Sequence, residues 1–264
     1  MPLILVSNDD SYVAPGVHAL IDRLVKFGEV VCVCPEHPQS GQSMAITVNA
    51  PLRINSLPDY NGARMYNVSG TPVDCIKLAM HHILDRTPDL VVAGINHGSN
   101  SAINVLYSGT MGAAMEGAAF GIPSIGFSLT DHAMDADFTP CMLAIDILVE
   151  ATLRHGLPRD IALNVNVPNI HHLPAEMRIC TPCAGRWNDE YKTYTDPSGR
   201  KFYWLTGKYE NLEPDNTSTD EWALAHGMIS VVPVAIERSS DICRNVEWLE
   251  KAVADYNIRI KLTK

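Results

Sequence analysis

The chain is poor in positive charge. Its 264 residues include 20 Lys and Arg against 30 Asp and Glu, which gives a formal net charge of −10. Nucleic acids and anionic membrane surfaces are bound by clusters of Lys and Arg, so this balance argues against both as partners. A small anionic substrate is compatible with it if a metal ion supplies positive charge.

Long apolar runs and targeting signals are also missing. No apolar segment approaches the length that spans a membrane, and the first residues lack the basic stretch of a secretory signal peptide. We therefore expect a cytoplasmic protein. A chain of this length suits one large α/β domain, with or without an appendage.

The cysteines do not indicate a metal or disulfide framework. Seven is an odd number, and Cys180 and Cys183 form the only CxxC motif. A zinc site of this type needs a second pair, which is missing. We interpret the motif as the end of a strand with incidental thiols, and redox chemistry is the alternative.

The two commonest phosphate-binding loops are absent. There is no Walker lysine, and no GxGxxG motif follows the first strand. Instead, Ser108, Gly109 and Thr110 precede a helix lined with Gly and Ala over 111–119. Its first turn exposes backbone N–H groups beside two hydroxyls, which suits a phosphate group. Ser108 or Thr110 acting only as an N-cap is the alternative, and the two roles are compatible.

What the sequence does contain is a buried strand that ends in charge. The apolar run 3–6 leads directly into Ser7, Asn8, Asp9 and Asp10. Because ligands collect at the carboxyl ends of strands in open α/β sheets, the two carboxylates occupy a functional position. Adjacent carboxylates repel each other, and a hard cation such as Mg²⁺, Mn²⁺ or Ca²⁺ would relieve the repulsion. A plain Asx turn or helix cap is the alternative.

A second polar loop follows another apolar segment. The strand predicted over 89–93 leads into the Gly-rich loop 94–100. There Asn96 and Asn100 offer amide oxygens to a metal or amide hydrogens to a phosphate. His97 has no partner nearby in the sequence, so it ranks behind the carboxylates as a catalytic base. An ordinary turn explains this loop equally well when it is taken alone.

The alternation of strands and helices predicts an α/β fold, with a Rossmann-like three-layer core and a mostly parallel sheet. Strands are expected over 3–6, 30–34, 89–93, 122–128 and 161–167, with shorter ones over 45–48, 52–54, 65–68, 228–234 and 257–262. Helices are expected over 15–27, 72–84, 111–119, 138–153, 220–226 and 244–253. Thr71 and Asp74 are spaced as a capping box at the start of the second helix.

The composition becomes aromatic and polar over 177–207, where a turn at 196–199 predicts a projecting β-hairpin. We therefore expect a single domain with a core over about 1–170 and 219–253, an arm over about 177–207 and a C-terminal tail over 255–264. Exposed aromatic side chains on such an arm usually bury against a partner chain.

Taken together, these motifs resemble those of the stationary-phase survival protein family, the SurE 5′-nucleotidases. In chain order they read SNDD, APG, SG, GTPVDC, GINHGSN, YSGT and AMEG, followed by NVNVP and by TD ahead of ISVVP. Each segment is weak alone, but together they are highly specific. The match runs nearly from end to end of the chain.

The resemblance implies a site and an activity. By it, Asp9, Asp10, Ser40 and Asn96 would bind one divalent metal ion per subunit, Mn²⁺ or Mg²⁺. The activity would be hydrolysis of nucleoside 5′-monophosphates to nucleoside and phosphate. The family forms dimers or tetramers through swapped C-terminal elements, for which the arm and the tail are the candidates here.

Three positions depart from the family pattern. Ser11 and Ala102 stand where glycine is usual, and Gln39 stands where arginine is common. None of them is an implied metal ligand. Loss of the arginine is expected to weaken the attraction for phosphate or to alter substrate preference. Ser11 is expected to be strained if its turn requires a positive φ.

The expected mechanism is metal-assisted hydrolysis of a phosphomonoester by direct attack of water. Asp9 or Asp10, acting through a bound water, is the preferred base, with His97 behind them. The residues expected to contact the phosphate are Asn8, Asn96, Asn100, Ser108, Gly109 and Thr110.

Two other classes of function stay open. An aspartyl-phosphate phosphatase of the haloacid dehalogenase type also places Asp at the end of its first strand, but it needs an Asp-x-Asp motif that is missing here. A non-catalytic nucleotide-binding stress protein would keep the phosphate loop without needing the metal ligands.

The arm and tail generate a prediction about assembly. We expect at least a homodimer, because exchanging an apolar element between identical chains preserves its contacts. Removing the residues after Asp255 should then lower the mass measured by light scattering. A monomer for the intact chain at micromolar concentration would contradict this prediction.

Overall fold

The fold was determined as a computed structural model, which describes residues 1–170 and 176–236. The strands are β1 (Leu3–Ser7), β2 (Glu29–Pro35), β3 (Ile54–Tyr60), β4 (Ala63–Val68), β5 (Leu90–His97), β6 (Ser124–Leu129), β7 (Ile161–Val167), β8 (Met177–Ile179), β9 (Gly185–Asn188), β10 (Tyr191–Thr195), β11 (Lys201–Leu205), β12 (Lys208–Asn211) and β13 (Ile229–Ala235). The helices are α1 (Pro15–Leu24), α2 (Pro72–Leu78), α3 (Gly109–Ala119), α4 (Met142–His155) and α5 (Asp220–Ala225).

One large sheet organises these elements in the order β3-β4-β2-β1-β5-β6-β7-β13-β8. The strands from β4 to β7 run parallel to one another. Strand β3 is antiparallel to β4, and β13 is antiparallel to β7. The predicted α/β class with a mostly parallel sheet is therefore confirmed.

Helices cover both faces of this sheet. Along β1, Ile4 and Val6 face a core shared with α1 and α4, whereas Leu3 and Leu5 face a core shared with α2 and α3. Burial on both faces explains why the strand reads as a continuous apolar run rather than as an alternating one. The result is the expected three layers.

The order of the strands reverses at β1, since β2 lies on one side of it and β5 on the other. From β1 the chain first builds one side of the sheet with β2, β3 and β4, and it then crosses to the other side at β5. A crevice therefore opens between the carboxyl ends of β1 and β5, which is where open α/β sheets bind ligands. The sheet thus brings the loops after residues 7 and 97 together.

Local signals in the sequence locate α2 well. Thr71 Oγ1 accepts from the backbone N–H of Asp74 at 3.1 Å, and the Asp74 carboxylate accepts from the N–H of Thr71 at 2.9 Å. This is the predicted capping box. The helix continues as a π-helical turn over Ala79–Ile83, which accounts for the predicted end near residue 84.

The strand predicted over 45–48 is wrong, because this segment is irregular. Ile46 and Val48 are exposed, so their alternation with polar residues does not mark a buried face. The segment is instead tied to the α2 cap, with Thr47 Oγ1 donating to Asp74 Oδ2 at 2.6 Å. The strand predicted over 52–54 is also displaced, since β3 begins only at Ile54.

The hairpin predicted around 196–199 is confirmed as the antiparallel pair β10–β11. The arm begins later than predicted, however, because β8 at 177–179 pairs with β13 in the main sheet. The helix predicted over 244–253 and the strand predicted over 257–262 lie outside the described residues. Within those residues, no helix is both long and apolar enough to cross a membrane.

The CxxC segment follows strand β8. Burial raises the pKa values of the Cys180 and Cys183 thiols, which disfavours the reactive thiolates. Every cysteine within the described residues is a free thiol. These observations favour incidental thiols over redox chemistry.

Candidate metal and phosphate site

A cleft of about 360 Å³ lies at the carboxyl ends of β1 and β5. Its walls come from the loops that follow β1, β2, β5 and β6, from the start of α3 and from β9. The residues that line it are Asp9, Ser40, Gly41, Asn96, His97, Gly98, Ser99, Asn100, Asn104, Tyr107, Ser108, His132 and Trp187. Three of the four implied metal ligands are in this set, and Asp10 borders it through its contact with His97.

Asp9 is the most buried carboxylate of the cleft, with 4% of its surface exposed. The Thr110 hydroxyl donates to its Oδ1 atom. Gly109 leaves room for it, since a Cβ atom there would lie 2.7 Å from Asp9 Cβ. Burial raises the pKa of Asp9 from 3.8 to about 6, and the charge of Asp10 adds to the rise, while the Thr110 hydrogen bond opposes it. A cation beside Asp9 would reverse this shift.

Asn96 directs an oxygen to the same point. Its Nδ2 group donates to the carbonyl oxygens of Gly98 at 2.8 Å and His97 at 3.2 Å, which fixes the amide. Its Oδ1 atom is left 3.4 Å from Thr110 Oγ1, the hydroxyl that also bonds Asp9. Oxygens from β1 and β5 therefore converge around one hydroxyl group.

Asp10 and His97 form a pair that the sequence did not reveal. Asp10 Oδ2 lies 3.2 Å from His97 Nδ1 and accepts from the His97 backbone N–H at 3.4 Å. The imidazole packs edge to face against Phe138, with 5.1 Å between ring centroids. Its Nε2 atom is buried without a hydrogen-bond partner within the described residues. The partner of His97 thus comes from 87 positions away, where no neighbouring residue in the sequence could indicate it.

Ser40 reaches the cleft from the loop after β2. This loop is anchored by the backbone N–H of Gln39, which donates to the carbonyl oxygen of Asp9 at 2.7 Å, and by the N–H of Ser43, which donates to Tyr107 at 3.0 Å. The backbone on both sides of Ser40 is thereby fixed at the cleft, and Ser40 is one of its exposed lining residues.

The donor set fits a hard divalent cation. Two carboxylates, an amide oxygen and a hydroxyl are ligands that suit Mg²⁺ or Mn²⁺. Within residues 1–170 and 176–236, no three His, Cys, Asp or Glu side chains cluster to hold a metal ion, so the Ser40 hydroxyl and the Asn96 amide would have to complete the set. The contact of both Asp9 Oδ1 and Asn96 Oδ1 with the Thr110 hydroxyl places these two oxygens near each other, which is consistent with a shared cation.

The start of α3 forms the opposite wall. Ser108 is its N-cap, with Oγ accepting from the Met111 N–H at 3.0 Å. The first N–H groups of a helix lack intrahelical acceptors and favour anions. Ser108 lines the cleft, whereas the Thr110 hydroxyl is committed to Asp9. Capping by Ser108 is confirmed, and it coexists with a surface that suits phosphate.

Asn8, which was expected to contact the phosphate, lies behind this surface. The residue is fully buried and absent from the lining of the cleft. Its Nδ2 group donates to the carbonyl oxygen of Ser11 at 3.0 Å, so it stabilises the turn that carries the two aspartates. A side chain directly after a buried strand turns inward or outward according to the exit of the chain, which the sequence does not specify.

Asn100 lines the cleft on a set of hydrogen bonds that sequence reasoning missed. Its backbone N–H donates to Asn166 Oδ1 at 2.7 Å, and its carbonyl oxygen accepts from Asn164 Nδ2 at 2.8 Å. Its own Nδ2 donates to Ser128 Oγ at 2.8 Å. The signal was present in the NVNVP segment, because two Asn residues spaced by two on a buried strand share one face and need partners there.

Two of the departures from the family pattern have a structural consequence. Ser11 and Ala102 adopt φ angles of 79° and 51°, in the region that favours glycine. The strain expected at Ser11 is therefore present, and Ala102 shares it. The Ala102 N–H donates to Asp220 Oδ2 at 2.8 Å, and Asp220 Oδ1 accepts from the Cys183 N–H, also at 2.8 Å. This carboxylate holds the strained loop in place.

Comparison with known proteins identifies the family of the chain. Residues 4–189 match the family described as Survival protein SurE. The chain belongs to the SurE family. The family resemblance drawn from the motifs is thus confirmed.

Relatives cover almost the whole chain. The protein from Phocaeicola vulgatus named 5′-nucleotidase SurE is 45% identical over 89% of this chain and 91% of its own length. The protein of the same name from Cytophaga hutchinsonii is 46% identical, over 89% and 92%. The crystal structure of a SurE protein from Aquifex aeolicus superposes with a TM-score of 0.79 at 33% identity, over 94% of this chain and 100% of that one.

The burial of Asp9 generates a prediction about the metal-free protein. The pKa of the Asp9 carboxyl group is about 6 in the folded chain and 3.8 in the unfolded chain, so the folded chain binds the carboxyl proton more tightly. The stability that the protonated group contributes is therefore fully present below pH 3.8 and is lost as the pH rises through about 6. In a chelator at about pH 7.5, we expect Asp9→Asn to be more stable than the parent, on the order of 2 kcal/mol. Urea unfolding at two pH values measures this difference, which should shrink toward pH 4.

The matched control is Asp135→Asn, which neutralises an exposed carboxylate. Its stability relative to the parent should not follow the same pH trend. If Asp9→Asn unfolded more easily than the parent at about pH 7.5, the carboxylate would be a structural group and not one held ready for a cation.

Proposed function

We propose that this SurE-family chain is a divalent-metal-dependent phosphomonoesterase that hydrolyses nucleoside 5′-monophosphates to nucleoside and phosphate. The convergence of Asp9, Asp10 and Asn96 opposite the start of α3 is the observation that carries the proposal. The relatives named 5′-nucleotidase SurE, at 45% and 46% identity, support the choice of substrate.

Asp9, Asp10, Ser40 and Asn96 would hold one Mn²⁺ or Mg²⁺ ion per subunit. Such an ion supplies positive charge that polarises a phosphate oxygen and acidifies water. The chain needs that charge from outside, because its formal net charge is −10 and neither Lys nor Arg lines the cleft within the described residues. Gln39, in place of the usual arginine, makes this dependence stronger.

The phosphate would lie between these ligands and the start of α3. There the Ser108 hydroxyl, the first N–H groups of the helix and the Asn100 side chain bind the non-reacting oxygens. Both Ser108 and Asn100 are already fixed by hydrogen bonds, so they lose little freedom when substrate binds. This preorganisation favours the charge distribution of the transition state.

His97 is better placed to move the proton than the sequence suggested. If Nδ1–H donates to Asp10, Nε2 is left as an acceptor, and it has no competing partner within the described residues. The Asp10 carboxylate fixes the tautomer and stabilises the imidazolium that forms. His97 Nε2 is therefore a candidate acceptor for the proton of the attacking water, provided that the ring turns to expose this buried atom to the cleft.

We propose direct attack by water because the candidate nucleophilic side chains of the cleft are engaged in other contacts. The Asp9 carboxylate accepts from Thr110 and is packed against Gly109, which leaves it badly placed as a nucleophile. The Ser108 hydroxyl caps α3 and has no adjacent base among the contacts of the cleft. A covalent phosphoenzyme is therefore not part of the proposal.

Assembly and location complete the proposal. Aromatic side chains on the hairpin are exposed, with Tyr203 at 63% and Trp204 at 65%, and such surfaces favour burial against another copy of the chain. A homodimer or homotetramer accounts for them. We also propose a cytoplasmic location, for which the lack of a membrane-spanning helix within the described residues leaves room.

The experiment is hydrolysis of AMP and GMP with and without a chelator. We expect activity to disappear in EDTA and to return with Mn²⁺ or Mg²⁺, because the oxygens of the site need a hard cation. Asp9→Asn should lower kcat on the order of 100-fold or more, and His97→Ala by about 100- to 10,000-fold.

Asp135→Asn and His81→Ala are the controls, since each changes the same kind of side chain away from the cleft. Full turnover in a chelated, metal-free sample would refute the proposal. Recovery of a phosphorylated aspartate after acid quenching would replace it with the aspartyl-phosphate mechanism. Tight AMP binding without any turnover would instead indicate a nucleotide-binding protein.

A further inference from the structure

A second cavity, of about 480 Å³, adjoins the cleft. The two cavities share Asn104, Tyr107 and Trp187 as wall residues. Beyond these three, the first cavity is lined by the polar metal and phosphate groups, whereas the second is lined by Tyr191 and Leu205 of the β10–β11 hairpin together with polar groups. A ligand that is anionic at one end and flat and apolar at the other fits this pair of cavities.

Trp187 is held rigidly at the junction. Its indole N–H donates to Asn104 Oδ1 at 3.0 Å, and its ring packs edge to face against Tyr209 at 5.9 Å between centroids. Gly207 lies against it, since a Cβ atom at that position would be 3.1 Å from Trp187 Cε3. The residue nevertheless remains 36% exposed. A fixed ring with an exposed part is preorganised for stacking.

Tyr107 adds a second aromatic ring to the junction between the two cavities. It follows the 3₁₀ turn Ala102–Leu106, and its carbonyl oxygen accepts from the Ser43 N–H, in the same loop as Ser40. Its position is therefore coupled to the loop that carries an implied metal ligand. The ring is 52% exposed, although it is large and apolar. Exposed aromatic rings that border a polar cleft commonly mark a binding surface.

We propose that Tyr107 and Trp187 form a nucleobase subsite, in which the base of the nucleotide stacks on aromatic rings at the junction and extends toward the hairpin. This inference rests on the proposed function, because the phosphate must lie in the first cavity. Stacking on aromatic rings accepts every base, since each base has a π face. Purines bury more area than pyrimidines and should bind more tightly. Glu190, in the same cavity, offers an acceptor for base amino groups.

The subsite predicts how activity depends on the base. The measured quantity is kcat/KM for AMP divided by kcat/KM for ribose 5-phosphate, which lacks the base. Any general damage to the enzyme cancels in this ratio. We expect Trp187→Ala to lower the ratio about 5- to 150-fold, the effect of losing one stacked base. Tyr107→Ala should lower it in the same direction, and Trp187→Phe should retain most of it.

Trp204→Ala is the matched control. It removes the same kind of side chain from the neighbouring β10–β11 hairpin, where Trp204 is 65% exposed and borders neither cavity. The ratio for this variant should equal that of the parent protein. Because Tyr107 is exposed, Tyr107→Ala should fold normally. It therefore tests the subsite even if Trp187→Ala fails to fold.

A binding measurement separates this proposal from the proposed function. Adenosine has no phosphate, and stacking on Trp187 should quench the intrinsic fluorescence of the parent and of Trp204→Ala, but much less that of Trp187→Ala. An unchanged ratio together with unchanged quenching in the Trp187 and Tyr107 variants would overturn the subsite. Failure to hydrolyse either substrate would overturn the phosphomonoesterase, and the adenosine measurement would still decide the subsite.

Discussion

The burial of one carboxylate, Asp9, against the first turn of α3 is the constraint on which the site depends. A charge is disfavoured where water is excluded, and the pKa of this group rises to about 6 as a result. The chain relieves the cost only in part, through the Thr110 hydroxyl. A position that is poor for a lone carboxylate is good for a carboxylate that shares its charge with a cation. The same burial that disfavours an unpaired Asp9 carboxylate would therefore strengthen the binding of the proposed metal ion.

The sheet fixes the positions of the residues around Asp9. Strands β1 and β5 are adjacent and parallel, and they present Asp9 and Asn96 at one edge. Loops then complete the cleft, but they are tied down. Gln39 bonds the backbone of Asp9, and Asn164 and Asn166 of β7 bond the segment at Asn100. Side chains on a rigid strand thus bind the backbone of the loop at Asn100, which fixes the position of this loop in the cleft.

Local features were the most predictable from sequence. The strand over 161–167 and the α2 capping box were found because their signals lie within a few residues. The strand predicted over 45–48 was wrong because alternation does not show whether a partner strand exists. The Asp10–His97 pair joins residues 87 positions apart, and Trp187 lies 83 positions from Asn104. Such contacts depend on the strand order and on the docking of the arm, which no local pattern encodes.

Asp220 also affects the order in which the parts of the chain fold. Every implied metal ligand and the start of α3 precede residue 111, yet the loop at Ala102 is held by a carboxylate 118 positions later. Contacts of such long sequence separation carry a large loop-closure entropy and tend to form late. We therefore expect the amide of Ala102 to become protected from hydrogen exchange after the amides of β1 and β5 during refolding, and simultaneous protection would contradict this order. On a ribosome, the strands that carry the ligands would emerge well before α5, and the cleft would reach its final shape only when α5 docks.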